Sequence, residues 1–180
     1  MKSTEVAKAG LNRAERWLQG AVRAFEDKRW DDVVYSSQMT LELSTKAILM
    51  LFGIDYPKEH DVSSVLVQLA DREDIPKWFK DKVPSISDAV AELAELRGLA
   101  GYGFEPGMDA EYFKDYAPEA LKRARETFEH CSRLLEELLK FSDVKHSNVT
   151  KSYSTPFKSW IGWIMKRFRG PFHHKLMHGD

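Results

Sequence analysis

The stretch of residues 35–51 most constrains the fold, because its apolar residues recur at spacings of three and four. Such spacing is typical of an α-helix that packs one face into a core. Polar residues follow the same helical spacing beside the apolar stripe, at Gln38, Glu42 and Lys46. Glu42 and Lys46 form an acid-to-base pair four residues apart, which supports the helix. The stretch therefore predicts a core helix that carries a polar edge.

The rest of the chain also follows helical periodicity, and no segment alternates apolar and polar residues long enough to predict a strand. Asp31 is the predicted N-cap of the second helix, and Gly53 lies just past its end. Four glycines and Pro106 predict that the fourth helix ends at Arg97. The five predicted helices span residues 3–27, 31–52, 61–69, 85–97 and 118–141, with a further turn or short helix at 75–79. We therefore predict an all-α, up-and-down bundle of four or five helices.

The order of these motifs resembles that of HEPN domains, the small all-α modules of prokaryotes and archaea. In that family the second helix reads roughly Q-x3-E-x3-K-A-x-L, and a glycine, a polar loop and H-D follow it. The matching positions are Gln38, Glu42, Lys46, Ala47, Leu49, Gly53, His60 and Asp61. Arg97, Ala100 and Tyr102 match the R-x-x-A-x-Y ending of the fourth helix in the HEPN branch that lacks the ribonuclease histidine. The resemblance covers residues 5–140 and implies a bundle of HEPN type.

The resemblance also directs attention to Arg97. In the catalytic HEPN branch, R-x4-H lies at a cleft, usually formed across a dimer, and cleaves RNA without metal. An arginine offers paired donors to phosphate, and a histidine moves protons near neutrality. Here Tyr102 stands at the histidine position, and a phenol, with a pKa of about 10, is a poor proton acceptor. Three interpretations stay open: Arg97 pairs with a carboxylate such as Glu105 while Tyr102 packs in the core, the two residues bind phosphate and base, or they catalyse.

Two more polar residues are candidates. His60, in the H-D pair before the third helix, is interpreted first as a residue that fixes the loop by a side-chain hydrogen bond, with catalysis as the alternative. Glu42 and Lys46 are predicted to be a structural pair. The resemblance implies that their helix lines the same cleft as Arg97, which makes Lys46 a second candidate for phosphate binding. No cofactor or functional metal site is predicted, and the histidines near the end of the chain favour adventitious metal binding. These are His173, His174 and His178.

Charge and composition divide the chain into an acidic body and a basic tail. The whole chain has 27 Lys/Arg and 28 Asp/Glu residues. Residues 141–180 contain seven of the basic and two of the acidic residues, so residues 1–140 contain 20 basic and 26 acidic residues. We predict a bundle over residues 1–141, a linker over 142–155 and a basic amphipathic extension over 156–180. The extension is predicted to dock on the body or a second copy, to contact RNA, or to lie on anionic lipid. The single cysteine, Cys131, is predicted to be buried, and the lack of a signal peptide or apolar span predicts a cytoplasmic protein.

Three functions are consistent with the sequence. The first is a nucleotide- or RNA-binding module, a homodimer whose cleft around Arg97 and Tyr102 receives phosphate; the resemblance implies a minimal nucleotidyltransferase as a partner. The second is a divergent metal-independent ribonuclease and toxin, in which Tyr102 or His60 replaces the missing histidine. The third is an adaptor that acts through its C-terminal tail.

Overall fold

The computed structural model describes residues 3–146, with side chains described through residue 140. Within residues 3–146 there is no strand, which confirms the all-α prediction. Two short 3₁₀ helices, Val67–Leu69 and Ala110–Phe113, lie between the α-helices. The α-helices are α1 Ser3–Glu26, α2 Trp30–Leu51, α3 Ser63–Leu66, α4 Lys77–Lys80, α5 Val83–Tyr102 and α6 Ala117–His146. The last helix continues past Phe141, and the rest of the predicted linker and the whole extension lie outside the described residues.

The second helix lies at the centre of the bundle, because it has buried residues all round its axis. Both α1 and α5 pack against α2. Small residues let α1 approach closely, and a Cβ added at Gly10 would lie only 2.9 Å from the Cβ of Ala47. The apolar face of α1 is buried at Ala7, Leu11, Ala14, Leu18 and Ala21. Because α2 is buried on all sides, most of its polar side chains bond inside the protein, whereas the hydroxyls of Ser37 and Ser44 have no partner among the described residues.

The ends of α2 show one confirmed and one wrong prediction. Gly53 has a φ of +66°. Its N–H donates to the carbonyl of Met50 at 3.2 Å, and the N–H of Ile54 donates to the carbonyl of Leu49 at 2.9 Å. These bonds form a Schellman motif, so the predicted end of the helix is confirmed. Asp31 is not the N-cap, because α2 already begins at Trp30. The Trp30 ring is buried, and its Nε1 donates to Glu111 Oε1 at 3.2 Å, which ties the start of α2 to the neighbouring 3₁₀ helix.

The predicted fourth helix, which ended at Arg97, is too short, because α5 continues through two glycines to Tyr102. Glycine in a helix interior costs about 1 kcal/mol relative to alanine. Packing of α5 against α2 outweighs this cost, and Gly101 lies where a side chain would meet the ring of Tyr35. Arg97 is therefore a residue of the helix body and faces α2, and it does not lie at a helix end.

The sixth helix brings Cys131 into the core, where it is 1% exposed, as predicted. Burial raises the pKa of its thiol, so the thiol stays protonated at neutral pH. None of the described helices is both long enough and apolar enough to cross a membrane.

Candidate functional site

Three polar side chains of α2 form a buried ladder along one face of the helix. Gln38 Nε2 donates to Glu42 Oε2 at 2.9 Å, and Lys46 Nζ donates to Glu42 Oε1 at 2.8 Å. Residues four apart lie above one another on a helix, so the sequence spacing itself produces these contacts. Gln38 is 2% exposed and Glu42 is 7% exposed. We call Gln38, Glu42 and Lys46 the polar ladder.

The ladder also holds the loop that follows α2. His60 Nδ1 lies 3.0 Å from Glu42 Oε2. Lys46 Nζ donates to the backbone carbonyl of Glu59 at 2.6 Å and lies 5.4 Å from the ring centroid of Tyr56. Two residues of the ladder therefore fix a loop that contains no regular structure.

The charge of Glu42 determines which nitrogen of the neutral His60 ring carries the hydrogen. Burial acts to raise the pKa of Glu42, but hydrogen bonds from Lys46, Gln38 and His60 outweigh burial, and the pKa lies below its usual range. An ionised carboxylate only accepts hydrogen bonds, so Nδ1 of His60 must donate. In the neutral ring the lone pair is then on Nε2. The His60 side chain is 53% exposed, so a ligand can reach it from solvent.

Arg97 reaches the ladder from α5. Its Nε donates to Gln38 Oε1 at 3.1 Å, and its Nη2 donates to the hydroxyl of Tyr35 at 3.0 Å. The guanidinium carbon lies 5.1 Å from the centroid of the same tyrosine ring. None of the ion pairs within residues 3–140 includes Arg97, so the pairing with Glu105 considered from the sequence is wrong. The arginine lies mid-helix and faces α2, whereas Glu105 follows the end of α5.

Sequence reasoning missed Tyr35 and Gly101 as parts of this site. A Cβ added at Gly101 would lie 3.1 Å from Cε2 of Tyr35, so glycine leaves the room that the ring occupies. The ring of Trp17 packs edge-on against the ring of Tyr35, with the two centroids 6.2 Å apart. The sequence did contain a signal for Tyr35: the spacing of Tyr35, Gln38 and Glu42 places all three on one face of α2.

Tyr102 lies outside these contacts. It is the last residue of α5 and is 60% exposed, so the interpretation that packs it in the core is wrong. Its neighbours Leu99 and Phe104 are 39% and 72% exposed. The structure thus brings three of the four sequence candidates together and leaves the fourth on an exposed aromatic surface. The connected residues, which we call the network, are Tyr35, Gln38, Glu42, Lys46, His60 and Arg97.

The network holds one more positive charge than negative charge. Lys46 neutralises Glu42 at 2.8 Å, while within the described residues Arg97 donates to an amide oxygen, a hydroxyl and, at 3.9 Å, the sulfur of Met39. A partly buried guanidinium without a carboxylate partner attracts anions, and its field is screened less than that of an exposed charge.

Comparisons with known proteins agree with this architecture. Residues 7–139 match the family described as HEPN domain. A protein of Methanocaldococcus jannaschii with the name "Putative toxin MJ1304" is 31% identical over 137 residues, which cover 73% of this chain and 89% of that protein. No solved structure matches the chain. The matched residues include every member of the network.

Proposed function

The chain belongs to the HEPN domain family, and we propose that its network binds a phosphate of RNA through Arg97. One observation carries this proposal: two neutral acceptors, Gln38 and Tyr35, fix the guanidinium in place, and no carboxylate of residues 3–140 pairs with it. The planar fork of arginine matches phosphate oxygens, and a fork that is already oriented loses little entropy on binding. Nη1 donates to no residue in the described part of the chain, so it is available to a ligand.

The surface beyond Arg97 suits a nucleotide rather than a bare phosphate. Tyr102 lies five residues further along α5, a rise of about 7.5 Å along the helix axis. With Phe104, it presents an aromatic surface that is mostly exposed. Single-stranded nucleic acids bind through phosphate contacts together with stacking of bases on such rings. Lys46 contributes less to the charge, because Glu42 already neutralises it.

Thermal melting with and without a single-stranded RNA oligomer tests the proposal. RNA should raise the melting temperature of the wild type, because a ligand that binds only the folded state stabilises it. Arg97→Gln should abolish the rise. Arg72→Gln is the matched control, since Arg72 donates to both carboxylate oxygens of Asp74, at 2.8 and 2.7 Å, and should leave the rise intact. An equal rise in wild type and Arg97→Gln would show that Arg97 does not hold the phosphate.

The hydrogen bond between His60 and Glu42 favours a second function, metal-independent cleavage of RNA. Nε2 of His60 would accept the proton of a ribose 2′-hydroxyl while that oxygen attacks the adjacent phosphorus. The bond from phosphorus to the 5′ oxygen breaks, the imidazolium returns the proton to that oxygen, and a 2′,3′-cyclic phosphate results. Arg97 would hold the non-bridging oxygens. The name of the M. jannaschii relative, which says toxin, supports this candidate.

A cleavage time course on labelled single-stranded RNA in chelator separates the two functions. If the network is catalytic, His60→Ala and Arg97→Gln both stop cleavage, while Tyr102→Phe cleaves like the wild type because Tyr102 lies outside the network. Absence of cleavage by wild type that still binds RNA would exclude the nuclease and leave the binding module. Equal cleavage by all four proteins would identify a contaminating nuclease.

The homodimer, the minimal nucleotidyltransferase partner and the cytoplasmic location stay predictions. They rest on the family resemblance and the composition, and the adaptor role of the tail falls on residues outside the described part of the chain.

A further inference from the structure

A second cleft lies between the first turns of α5 and the middle of α6. Its volume is about 250 Å³. Asp88 lies nine residues before Arg97, a rise of about 13.5 Å along α5, so the cleft is separate from the network. Buried apolar side chains line part of it, at Ile86 and Ala89. The volume is below the usual range of about 300–1,000 Å³ for ligand pockets, so it suits a small or slender molecule.

The cleft carries uncompensated negative charge. Arg123 lines it, but its guanidinium is already bound by Glu92 and by Glu119, the latter at 3.0 Å. Asp88 and Glu126 also line the cleft, and neither makes a hydrogen bond or ion pair with another described residue. Two carboxylates are therefore left to attract a cation from solvent.

An almost fully buried threonine in the same cleft also has a hydroxyl without a protein partner. Thr127 is only 3% exposed and lines the cleft, and its hydroxyl bonds to no other residue in the described part of the chain. Among the described residues the fully enclosed hydroxyls without a partner are those of Ser37, Ser44 and Ser132, so the Thr127 hydroxyl is open to the cleft, where a ligand can bond to it. His130 beside it adds no positive charge, because burial lowers its pKa and Lys82 acts in the same direction.

We propose that this cleft binds a linear aliphatic amine of the polyamine class. An ammonium group carries three donors and no acceptor, which matches a site whose free groups are two carboxylates and a hydroxyl that can accept. The methylene chain would lie on Ile86 and Ala89, since alkyl stems of amines bury readily on apolar surface. Anionic ligands are disfavoured by Asp88 and Glu126.

Calorimetric titration of the full chain with spermidine, without RNA, tests this site. We expect saturable binding to one site in the wild type. The double variant Asp88→Asn, Glu126→Gln should weaken it at least tenfold. A control that removes the same charge from an exposed loop, Asp71→Asn with Glu73→Gln, should bind like the wild type.

A second pair of variants tests the hydroxyl. Thr127→Val keeps the shape and should weaken spermidine binding several-fold, while Thr127→Ser keeps the hydroxyl and should bind like the wild type. Equal weakening by the two double variants would mean diffuse charge attraction and overturn the proposal, as would MgCl₂ at the same ionic strength displacing spermidine completely. Unchanged binding in Thr127→Val would also overturn it. Arg97→Gln should not change the affinity for spermidine, so this experiment tests the cleft independently of the RNA site.

Discussion

Replacing Glu42 with glutamine is the sharpest test of how the network stabilises the bundle. Glutamine keeps the shape of the side chain and removes its charge. Glu42 is 7% exposed, and the side chain of its partner Lys46 is 13% exposed. After the substitution, Lys46 keeps the carbonyl of Glu59 and the ring of Tyr56 but has no carboxylate. A mostly buried ammonium then loses the charge that compensates it.

The expected loss follows from these contacts. Removing one partner of a buried ion pair costs about 3–5 kcal/mol. The two contacts that Lys46 keeps place the cost at the lower end, about 3 kcal/mol. In a protein of this size each kcal/mol lowers the melting temperature by about 2–4 °C, so we expect a fall of about 6–12 °C.

Urea unfolding followed by circular dichroism measures this loss. Asp81→Asn is the control, because Asp81 forms the same kind of i,i+4 pair with Lys77 at 2.9 Å, but with side chains 58% and 87% exposed. An exposed pair contributes about 0–1 kcal/mol. If Glu42→Gln loses no more free energy of unfolding than Asp81→Asn, the ladder does not stabilise the fold and the reasoning is refuted.

The network also predicts a dependence of stability on pH and different effects of two glycine substitutions in α5. Because the folded pKa of Glu42 is depressed, its contribution is complete above the ordinary value of about 4.3 and is lost as pH falls through the folded value. The difference in unfolding free energy between wild type and Glu42→Gln should therefore shrink below about pH 4.3, and a constant difference from pH 7 to 3 would contradict this. A Cβ added at Gly98 would have no atom within 4 Å. Gly98→Ala should therefore stabilise α5 by about 0.5–1 kcal/mol and leave RNA binding unchanged. Gly101→Ala places a Cβ 3.1 Å from the Tyr35 ring and should weaken RNA binding several-fold; equal effects of the two alanines on binding would contradict the role of Tyr35.

The part of the site that the sequence predicts is the part that lies on one helix. The four-residue spacing of Gln38, Glu42 and Lys46 places them on one face whatever the rest of the fold does. The contacts of Arg97 with Tyr35 and Gln38 join residues 62 and 59 positions apart. They depend on how α2 and α5 pack, which no local pattern contains.

Local signals also failed where packing outweighed them. Gly98 and Gly101 predicted the end of a helix, yet α5 continues because it packs on α2 and because Gly101 makes room for the Tyr35 ring. Asp31 has the chemistry of an N-cap, yet burial of Trp30 starts α2 one residue earlier. The resemblance to catalytic HEPN domains directed attention to Tyr102 as the residue in the histidine position, but the structure places it on the exposed surface, outside the network.

The affinity for a fluorescently labelled single-stranded RNA, measured by anisotropy at several salt concentrations, shows whether Arg97 binds a phosphate. A hydrogen bond to a charged group contributes about 1.5–3 kcal/mol, so Arg97→Gln should weaken binding by about 10-fold or more. It should also reduce the slope of log affinity against log salt by about 0.7, the value for one phosphate contact on a single strand. Arg72→Gln should change neither. If Arg97→Gln and Arg72→Gln give the same affinity and the same slope, Arg97 does not bind the phosphate and the account is wrong.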